Sequence, residues 1–168
     1  AYLVERQVSG GPYQNVAEGE GPADPLDEIG LLPAIYFPAR QDTAGAAPLL
    51  CAGITTYSPL RHWEAGPGRR VGVVGLGGLG HMAVKFASSF GAEVTMLSSS
   101  RSKEADAKKL GAHHFVLTSD ENQMKSLKNH FDVILNTVSA THSYTPYLKL
   151  LNTNGTMIVV GAPPSPSE

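Results

Sequence analysis

The feature that most constrains this chain is a glycine-rich loop that stands directly between a β-branched run and an apolar helical pattern. Residues 70–75 read Arg-Val-Gly-Val-Val-Gly, a short apolar run typical of a parallel strand buried on both faces. Beyond Gly80, apolar residues recur at spacings of three and four, which predicts an amphipathic helix that ends at Gly91. The loop itself consists of Gly75, Leu76, Gly77, Gly78, Leu79 and Gly80. The chain must therefore join a strand to a helix through a tight turn.

The same alternation of strand and helix continues along the chain. Further strands are predicted at residues 93–97, 114–117, 131–136 and 156–161. Helices are predicted at residues 60–64, 103–110 and 142–151, with another that is capped by Ser119 and Asp120 and buries Met124 and Leu127; a turn is predicted at residues 152–155. Five strands in alternation with helices indicate an α/β fold: a Rossmann-type, three-layer, doubly wound parallel sheet with right-handed crossovers. We expect this sheet to be truncated at its C-terminal edge.

Length and composition indicate one globular domain without a strong electrostatic bias. The 168 residues are 42% hydrophobic and 17% charged, with a net charge of -2, so neither nucleic acid nor a membrane surface is an expected partner. The single cysteine excludes an internal disulfide, and with no leader or long apolar run it favours the cytoplasm. We expect residues 1–36 to be an irregular or partly disordered lead-in, residues 37–164 to form the Rossmann domain and residues 165–168 to be a loose tail.

The glycines of the loop favour a pyrophosphate ligand. A pyrophosphate needs close backbone approach and N–H donors at a helix N-terminus. Gly75 permits the tight turn, Gly77 leaves room for the phosphate and Gly80 lets the helix pack closely on the strand. The pattern predicts a dinucleotide site because it follows a strand and opens a helix. Two alternatives remain open: a structural turn without a ligand, and the S-adenosylmethionine site of a methyltransferase.

The residues at the end of the second predicted strand favour NADP(H) over NAD(H). NAD-binding folds place an Asp or Glu at this point to accept from the ribose 2′-hydroxyl. This chain instead has Ser98, Ser99, Ser100, Arg101, Ser102 and Lys103. Hydroxyl donors and two cations suit a 2′-phosphate that carries about two negative charges. The alternative is that Arg101 and Lys103 only form the solvated first turn of the next helix.

Several blocks of residues together resemble one enzyme family. Residues 46–60, 71–82, 98–103, 136–140 and 159–163 are similar to the corresponding parts of cinnamyl-alcohol-dehydrogenase-like enzymes, which are zinc-dependent, medium-chain, NADP-linked alcohol dehydrogenases. The resemblance covers roughly residues 37–164. It implies reversible hydride transfer between NADP(H) and alcohols or aldehydes of the cinnamyl type, a homodimer, and a catalytic zinc ion in the full-length enzyme.

The resemblance also implies a role for particular residues. The cysteine that matches Cys51 is one ligand of the catalytic zinc, and the threonine that matches Thr55 lies near the nicotinamide. Residues matching Ser99, Ser100 and Lys103 contact the 2′-phosphate. Those matching Thr137, Val138, Ser139, Ala140, Val160, Gly161 and Ala162 line the nicotinamide side of the cofactor.

Departures from the family pattern limit what this chain is expected to do alone. It has no Gly-His-Glu motif and no four-cysteine lobe, and Cys51 cannot hold by itself a zinc ion that needs three protein ligands. Cys51 is alternatively a small buried hydrophobe. The histidines show no pair at a recognised metal spacing, and neither a GxSxG elbow nor a Tyr four residues before a Lys is present. We expect a truncated chain with no catalytic residues of its own and little activity; the alternative is a dinucleotide-binding module without catalysis.

Overall fold

The computed structural model of the protein describes residues 48–161. The chain divides into two units, Ala1–Cys51 and Ala52–Glu168. Of the first unit, the described residues are 48–51, which are exposed and enter a π-helical turn at Leu49–Gly53. The predicted domain boundaries at residues 36 and 164 lie outside the described residues.

Five helices and five strands follow within residues 52–161. The helices are α1 (Ile54–His62), α2 (Gly78–Ser89), α3 (Glu104–Lys109), α4 (Glu121–Ser126) and α5 (Thr145–Leu148). The strands are β1 (Arg70–Val74), β2 (Glu93–Ser98), β3 (His114–Leu117), β4 (Phe131–Asn136) and β5 (Leu151–Val159). A short 3₁₀ turn, Arg101–Lys103, precedes α3. Asp120 caps α4 as predicted, because its carboxylate accepts from the N–H groups of Asn122 and Gln123.

The five strands form one parallel sheet in the order β3-β2-β1-β4-β5. Register is continuous between β1 and its two neighbours, with Val73 opposite Met96 on one side and Leu135 on the other. Every pairing in the sheet is parallel. The predicted Rossmann-type α/β fold is therefore confirmed.

Strands β1, β2 and β4 are buried on both faces, which explains their mostly apolar sequences. Val71 and Val73 of β1 belong to a cluster with Val84 of α2. Val74, the next residue on β1, belongs with Ile134 to the cluster on the opposite face. All five side chains are at most 2% exposed. Because side chains alternate along a strand, the one short apolar run of β1 contributes side chains to the hydrophobic cores on both faces of the sheet.

The structure corrects the predicted boundaries of the last helix and strand. Helix α5 spans Thr145–Leu148 rather than residues 142–151. It ends early because the carbonyl groups of the next two residues pair with the chain before β4: Lys149 O accepts from Asn129 N–H at 3.2 Å, and Leu150 O accepts from Phe131 N–H at 2.9 Å. Strand β5 therefore starts at Leu151 and ends at Val159.

The predicted turn at residues 152–155 lies inside β5. The register of β4 and β5 shifts at this point, between Phe131 and Val133, and Asn154 has a φ of +66°. The predicted turn is therefore wrong, because the strand passes through residues 152–155 with an irregularity instead of beginning after them. The first helix is also displaced, since α1 spans Ile54–His62 rather than residues 60–64. None of the helices in the described part of the chain is long and apolar enough to cross a membrane.

Candidate cofactor-binding site

The carboxyl ends of four strands meet at one edge of the sheet. Val74 at the end of β1 pairs with Leu97 of β2 and with Asn136 of β4. Asn136 in turn pairs with Val159 of β5. The chain proceeds from β1 outward through β2 and β3, then returns to β4 on the other side of β1. In open parallel sheets, ligands bind in the crevice where the strand order reverses in this way.

The glycines of the loop between β1 and α2 differ in the space that is available for a side chain. Gly75 has a φ of +87°, and a Cβ there would lie 2.7 Å from Cγ2 of Val138, so conformation and space both exclude a side chain. A Cβ on Gly80 would overlap the carbonyl oxygen of Gly75. Nothing lies within 4 Å of a Cβ built on Gly77. The fold therefore requires Gly75 and Gly80, whereas Gly77 borders open space that a ligand can enter.

Helix α2 presents its N-terminus to this space. Its N-cap, Gly77, provides no side-chain acceptor for the N–H groups of the first turn, and this turn contains no acidic residue. The helix dipole and the first-turn N–H groups are therefore available to an anion. The imidazole of His81 is directed to its own helix, since its Nδ1 lies 3.3 Å from the carbonyl oxygen of Gly78.

Thr137 connects the loop after β4 to the glycine loop. Its hydroxyl donates to the carbonyl oxygens of Val74 and Gly75 at 2.8 and 3.0 Å, and its N–H donates to Val74 at 3.0 Å. Thr137 is only 8% exposed, so its hydroxyl hydrogen is used by the backbone of β1. This side chain fixes the position of the glycine loop.

The loops after β4 and β5 lie against each other. The N–H groups of Val160 and Gly161 donate to the carbonyl oxygen of Asn136 at 2.9 and 3.2 Å. A Cβ on Gly161 would overlap the carbonyl oxygen of Val138, so the two backbones are in contact. The two segments predicted to face the nicotinamide are thus brought together beside the glycine loop.

Hydrogen bonds made by its own serines hold the turn after β2 in shape. Ser98 is buried, and its Oγ accepts from the N–H of Ser100 at 3.2 Å. The hydroxyl oxygens of Ser100 and Ser102 are 2.8 Å apart. Ser99 lies between these bonds and is exposed. The turn therefore holds a fixed shape and presents Ser99 to solvent.

The two cations of this turn are placed differently. The ammonium group of Lys103 donates to the carbonyl oxygen of Leu76 at 2.7 Å, so it lies against the glycine loop and is more than a solvated first-turn residue. Arg101 is 78% exposed, as that alternative expects, with its Nε 4.0 Å from the carboxylate of Glu104. A hydrogen bond from Lys108 lowers the pKa of Glu104 below its ordinary value, which keeps this carboxylate charged and paired.

The predicted zinc ligand, Cys51, is a free and exposed thiol. The alternative that it is a small buried hydrophobe is therefore wrong. Within residues 48–161, no group of three His, Cys, Asp or Glu side chains is placed to hold a metal ion. The described residues alone do not fit a zinc site, which takes three protein ligands. Of the other predicted site residues, Thr55 is half-buried on α1 and Ala162 lies outside the described residues.

One residue beside the site was missed by the sequence analysis. His142 lies 2.8 Å from the carboxamide of Asn136 and 2.7 Å from the carbonyl oxygen of Ala140. Its predicted place at the start of a helix obscured this role. A histidine six residues after a strand end carries no signal of its own, because only the folded loop brings the two side chains together.

Comparison with known proteins agrees with this architecture. Residues 78–168 match the family model described as zinc-binding dehydrogenase. The chain is 53% identical over 132 residues to a probable formaldehyde dehydrogenase of Bacillus subtilis, which covers 79% of this chain and 38% of that protein. It is 56% identical over 123 residues to an NADP-dependent alcohol dehydrogenase C of Mycolicibacterium smegmatis, which covers 73% of this chain and 35% of that protein. The chain thus spans little more than a third of these relatives.

Solved structures show the same relationship. A cinnamyl alcohol dehydrogenase from Sorghum bicolor superposes with a TM-score of 0.72 at 54% identity, over 74% of this chain and 36% of that one. The corresponding enzyme from Helicobacter pylori, solved as a complex with NADP(H), gives a TM-score of 0.64 at 47% identity, over 70% of this chain and 33% of that one. The resemblance to zinc-dependent alcohol dehydrogenases is confirmed, and the chain belongs to the zinc-binding dehydrogenase family, of which it carries the Rossmann-type part.

Proposed function

We propose that this chain is the NADP(H)-binding part of an enzyme that interconverts alcohols and aldehydes by hydride transfer. The observation that carries the proposal is the hydrogen bond of 2.7 Å from Lys103 to the carbonyl oxygen of Leu76. An ammonium group has three donors and no acceptor. One donor fixes it against the glycine loop, and two remain for an anion between this loop and the turn after β2.

The surroundings of Lys103 fit a 2′-phosphate better than a free ribose hydroxyl. A ribose 2′-hydroxyl is bound in NAD enzymes by a carboxylate at the end of the second strand, and residues 98–103 contain none. Glu104, the first carboxylate after them, is hydrogen-bonded to Lys108. Ser99, Ser100, Arg101 and Lys103 are the residues we assign to the 2′-phosphate, with Ser98 as the buried anchor of their turn.

The remaining contacts of the cofactor follow from the arrangement of the loops. We assign the pyrophosphate to the space beside Gly77 and to the N-terminus of α2, where nothing lies within 4 Å of a Cβ at that glycine. The nicotinamide side is assigned to Thr55, to residues 137–140 and to residues 160–162. NADP(H) supplies the hydride carrier for the reaction, and the residues of this chain bind and orient it.

The described residues do not contain the rest of the catalytic machinery. Cys51 offers one thiol, and the described residues bring no two further ligands to it, so we assign no zinc-dependent step to them. Relatives named as an alcohol dehydrogenase and as an aldehyde reductase support an alcohol or aldehyde substrate for the whole protein. We further propose that residues 37–164 form the cofactor domain, and that the whole protein is a cytoplasmic homodimer.

Calorimetric titration of the chain with NADPH and NADH tests the assignment. One charged hydrogen bond to phosphate contributes about 1.5–3 kcal/mol, so NADPH is expected to bind roughly tenfold to a hundredfold more tightly. Ser99→Asp places a carboxylate beside the phosphate position and at the point where NAD enzymes use one. The preference is then expected to shrink or invert.

Ser89→Asp is the matched control, because it adds the same charge at an exposed position at the C-terminal end of α2, the end opposite the glycine loop. It is expected to leave the ratio of the two affinities unchanged. Equal affinities of the unmodified chain for NADPH and NADH would reject the 2′-phosphate assignment, as would a Ser99→Asp variant that weakens both cofactors alike.

A further inference from the structure

The loop that follows β4 is held by a side chain network that begins with a fully buried amide. Asn136, the last residue of β4, is 0% exposed. Its Oδ1 accepts from the backbone N–H of Val138 at 3.1 Å. A backbone N–H can only donate, so this bond determines which end of the carboxamide is oxygen. The nitrogen Nδ2 must therefore be the atom that faces His142, 2.8 Å from its Nε2.

These polarities determine the protonation of the imidazole. Nδ2 of Asn136 is a donor, so Nε2 of His142 must accept from it. Nδ1 of His142 lies 2.7 Å from the carbonyl oxygen of Ala140, which can only accept, so Nδ1 carries the hydrogen. The imidazole is neutral, in the tautomer protonated on Nδ1.

The network links two backbone groups of the loop, the N–H of Val138 and the carbonyl of Ala140. It runs from the N–H of Val138 through Asn136 and His142 to the carbonyl of Ala140. The enclosed segment also sets its neighbours, because the side chain of Val138 occupies the space beside Gly75 and its carbonyl meets Gly161. A displacement of this segment would therefore change both adjoining walls of the site.

We propose that His142 is a positioning residue that, through its neutral imidazole, holds residues 138–140 in the conformation that receives the nicotinamide half of NADP(H). The proposal rests on the proposed function and deepens it, since it gives a role to a residue that is not among those assigned to the cofactor. Protonation of Nε2 would set two donors against each other at the contact with Asn136. The loop would then be released, so cofactor affinity is expected to fall as the imidazole is protonated.

Two tyrosines of α5 and its N-cap pack against the imidazole of His142. They are Tyr144 and Tyr147, whose rings meet the imidazole edge to face with centroids 5.1 and 5.9 Å away. Phenols ionise near pH 10, and burial raises the pKa of Tyr147 further. Of the side-chain types in this contact, imidazole is the one that ordinarily ionises near neutral pH.

Two variants of His142 separate its hydrogen bonds from its packing. His142→Gln keeps an acceptor for Asn136 but cannot be protonated in this pH range. His142→Phe keeps a ring for the two tyrosines but loses both hydrogen bonds. His62→Gln, at an exposed position on α1, is the matched control for the loss of a titratable histidine.

NADPH affinity is measured by fluorescence titration of the 168-residue chain and its variants from about pH 8 to about pH 5.5. The 2′-phosphate of NADPH is also protonated in this range, but it affects the unmodified chain and every variant alike. The ratio of the variant's affinity to that of the unmodified chain therefore isolates the effect of the imidazole. On acidification, we expect the affinity of His142→Gln relative to the unmodified chain to rise about tenfold. We expect His142→Phe to bind NADPH about tenfold more weakly than the unmodified chain at pH 8. The ratio for His62→Gln should stay constant.

A constant ratio for His142→Gln would overturn the proposal, even if His142→Phe fails to fold. Unchanged affinity of a folded His142→Phe would also overturn it. Failure of the unmodified chain to bind NADPH at any pH would reject the proposed function, and the role of His142 with it. NADPH binding combined with a constant ratio would reject the role of His142 only.

Discussion

Alanine substitutions at Gly80 and Gly77 separate the glycine that the fold needs from the glycine that the ligand is proposed to need. A Cβ at Gly80 would overlap the carbonyl oxygen of Gly75 and would lie 3.1 Å from Oγ1 of Thr137. That carbonyl cannot easily move, because the hydroxyl of Thr137 donates to it and the N–H of Gly75 donates to Leu97 at 2.9 Å. Relief of the overlap requires α2 to shift away from β1.

The expected loss of stability follows from this rigidity. Insertion of one carbon into a packed interior costs typically about 1–3 kcal/mol, and a backbone atom on the other side of the overlap favours the upper end, about 3 kcal/mol. For a chain of 168 residues, about 2–4 °C are lost per kcal/mol, so Tm should fall by roughly 6–12 °C. Gly77→Ala meets no atom within 4 Å and should lose only about 0.5 kcal/mol, because alanine is a poorer N-cap than glycine.

NADPH titration is expected to rank the same two variants differently from the melting experiment. Gly77→Ala places a methyl group in the space assigned to the pyrophosphate and should weaken binding roughly tenfold or more, although its Tm barely changes. Gly66→Ala is the control, since a Cβ there makes only ordinary contacts, 3.6 Å from the carbonyl oxygen of Phe90, and Gly66 precedes β1 at the opposite end from the glycine loop. Differential scanning calorimetry gives Tm for all three. A Gly80→Ala variant that melts within about 2 °C of the unmodified chain, or a Gly77→Ala variant with full NADPH affinity, would refute the reasoning.

Two further predictions concern stability. Glu64 has a φ of +54°, a conformation that disfavours residues with a side chain by about 1 kcal/mol or more, and its ion pair with Arg69 is exposed and 3.7 Å long; Glu64→Gly should therefore raise Tm by a few degrees, and a lower Tm would contradict this. Burial and the neighbouring Arg70 lower the pKa of His130 below its usual value, so the unfolded chain takes up this proton first as pH falls; the stability from neutral His130 is present above about pH 6.5 and declines below it. Urea unfolding of His130→Gln should show a flatter decline than the unmodified chain, and parallel curves would exclude this contribution.

Local pattern was sufficient to predict the first four strands. The bounds of β3 and β4 agree with the sequence prediction, because short runs rich in β-branched and aromatic residues are delimited by turn residues. The pattern failed between residues 142 and 156. There, the end of α5 is set by carbonyl groups that bond residues 129–131, and Asn154 tolerates a positive φ inside a strand. Both effects arise from pairing with distant residues and leave no local signal.

The candidate site divides in the same way. The glycine loop is recognisable in the sequence because each glycine answers a local requirement of a strand-turn-helix unit. The contacts of Lys103 with Leu76, and of Thr137 with Val74 and Gly75, join segments 27 to 63 residues apart. Only the sheet order, which sets β2 and β4 on either side of β1, brings these partners within reach.

If the 2′-phosphate binds where we propose, the internal hydrogen bonds of the turn after β2 allow cofactor preference to change by mutation at exposed positions. Ser98 anchors the turn from inside the sheet. Within residues 48–161, the exposed side chains of Ser99 and Arg101 make no hydrogen bond to another part of the fold. Mutations at those two exposed positions can accumulate without loss of the native state. On this assignment, substitutions at Ser99 and Arg101 can change the preference between a ribose 2′-phosphate and a 2′-hydroxyl while the sheet and the glycine loop stay the same.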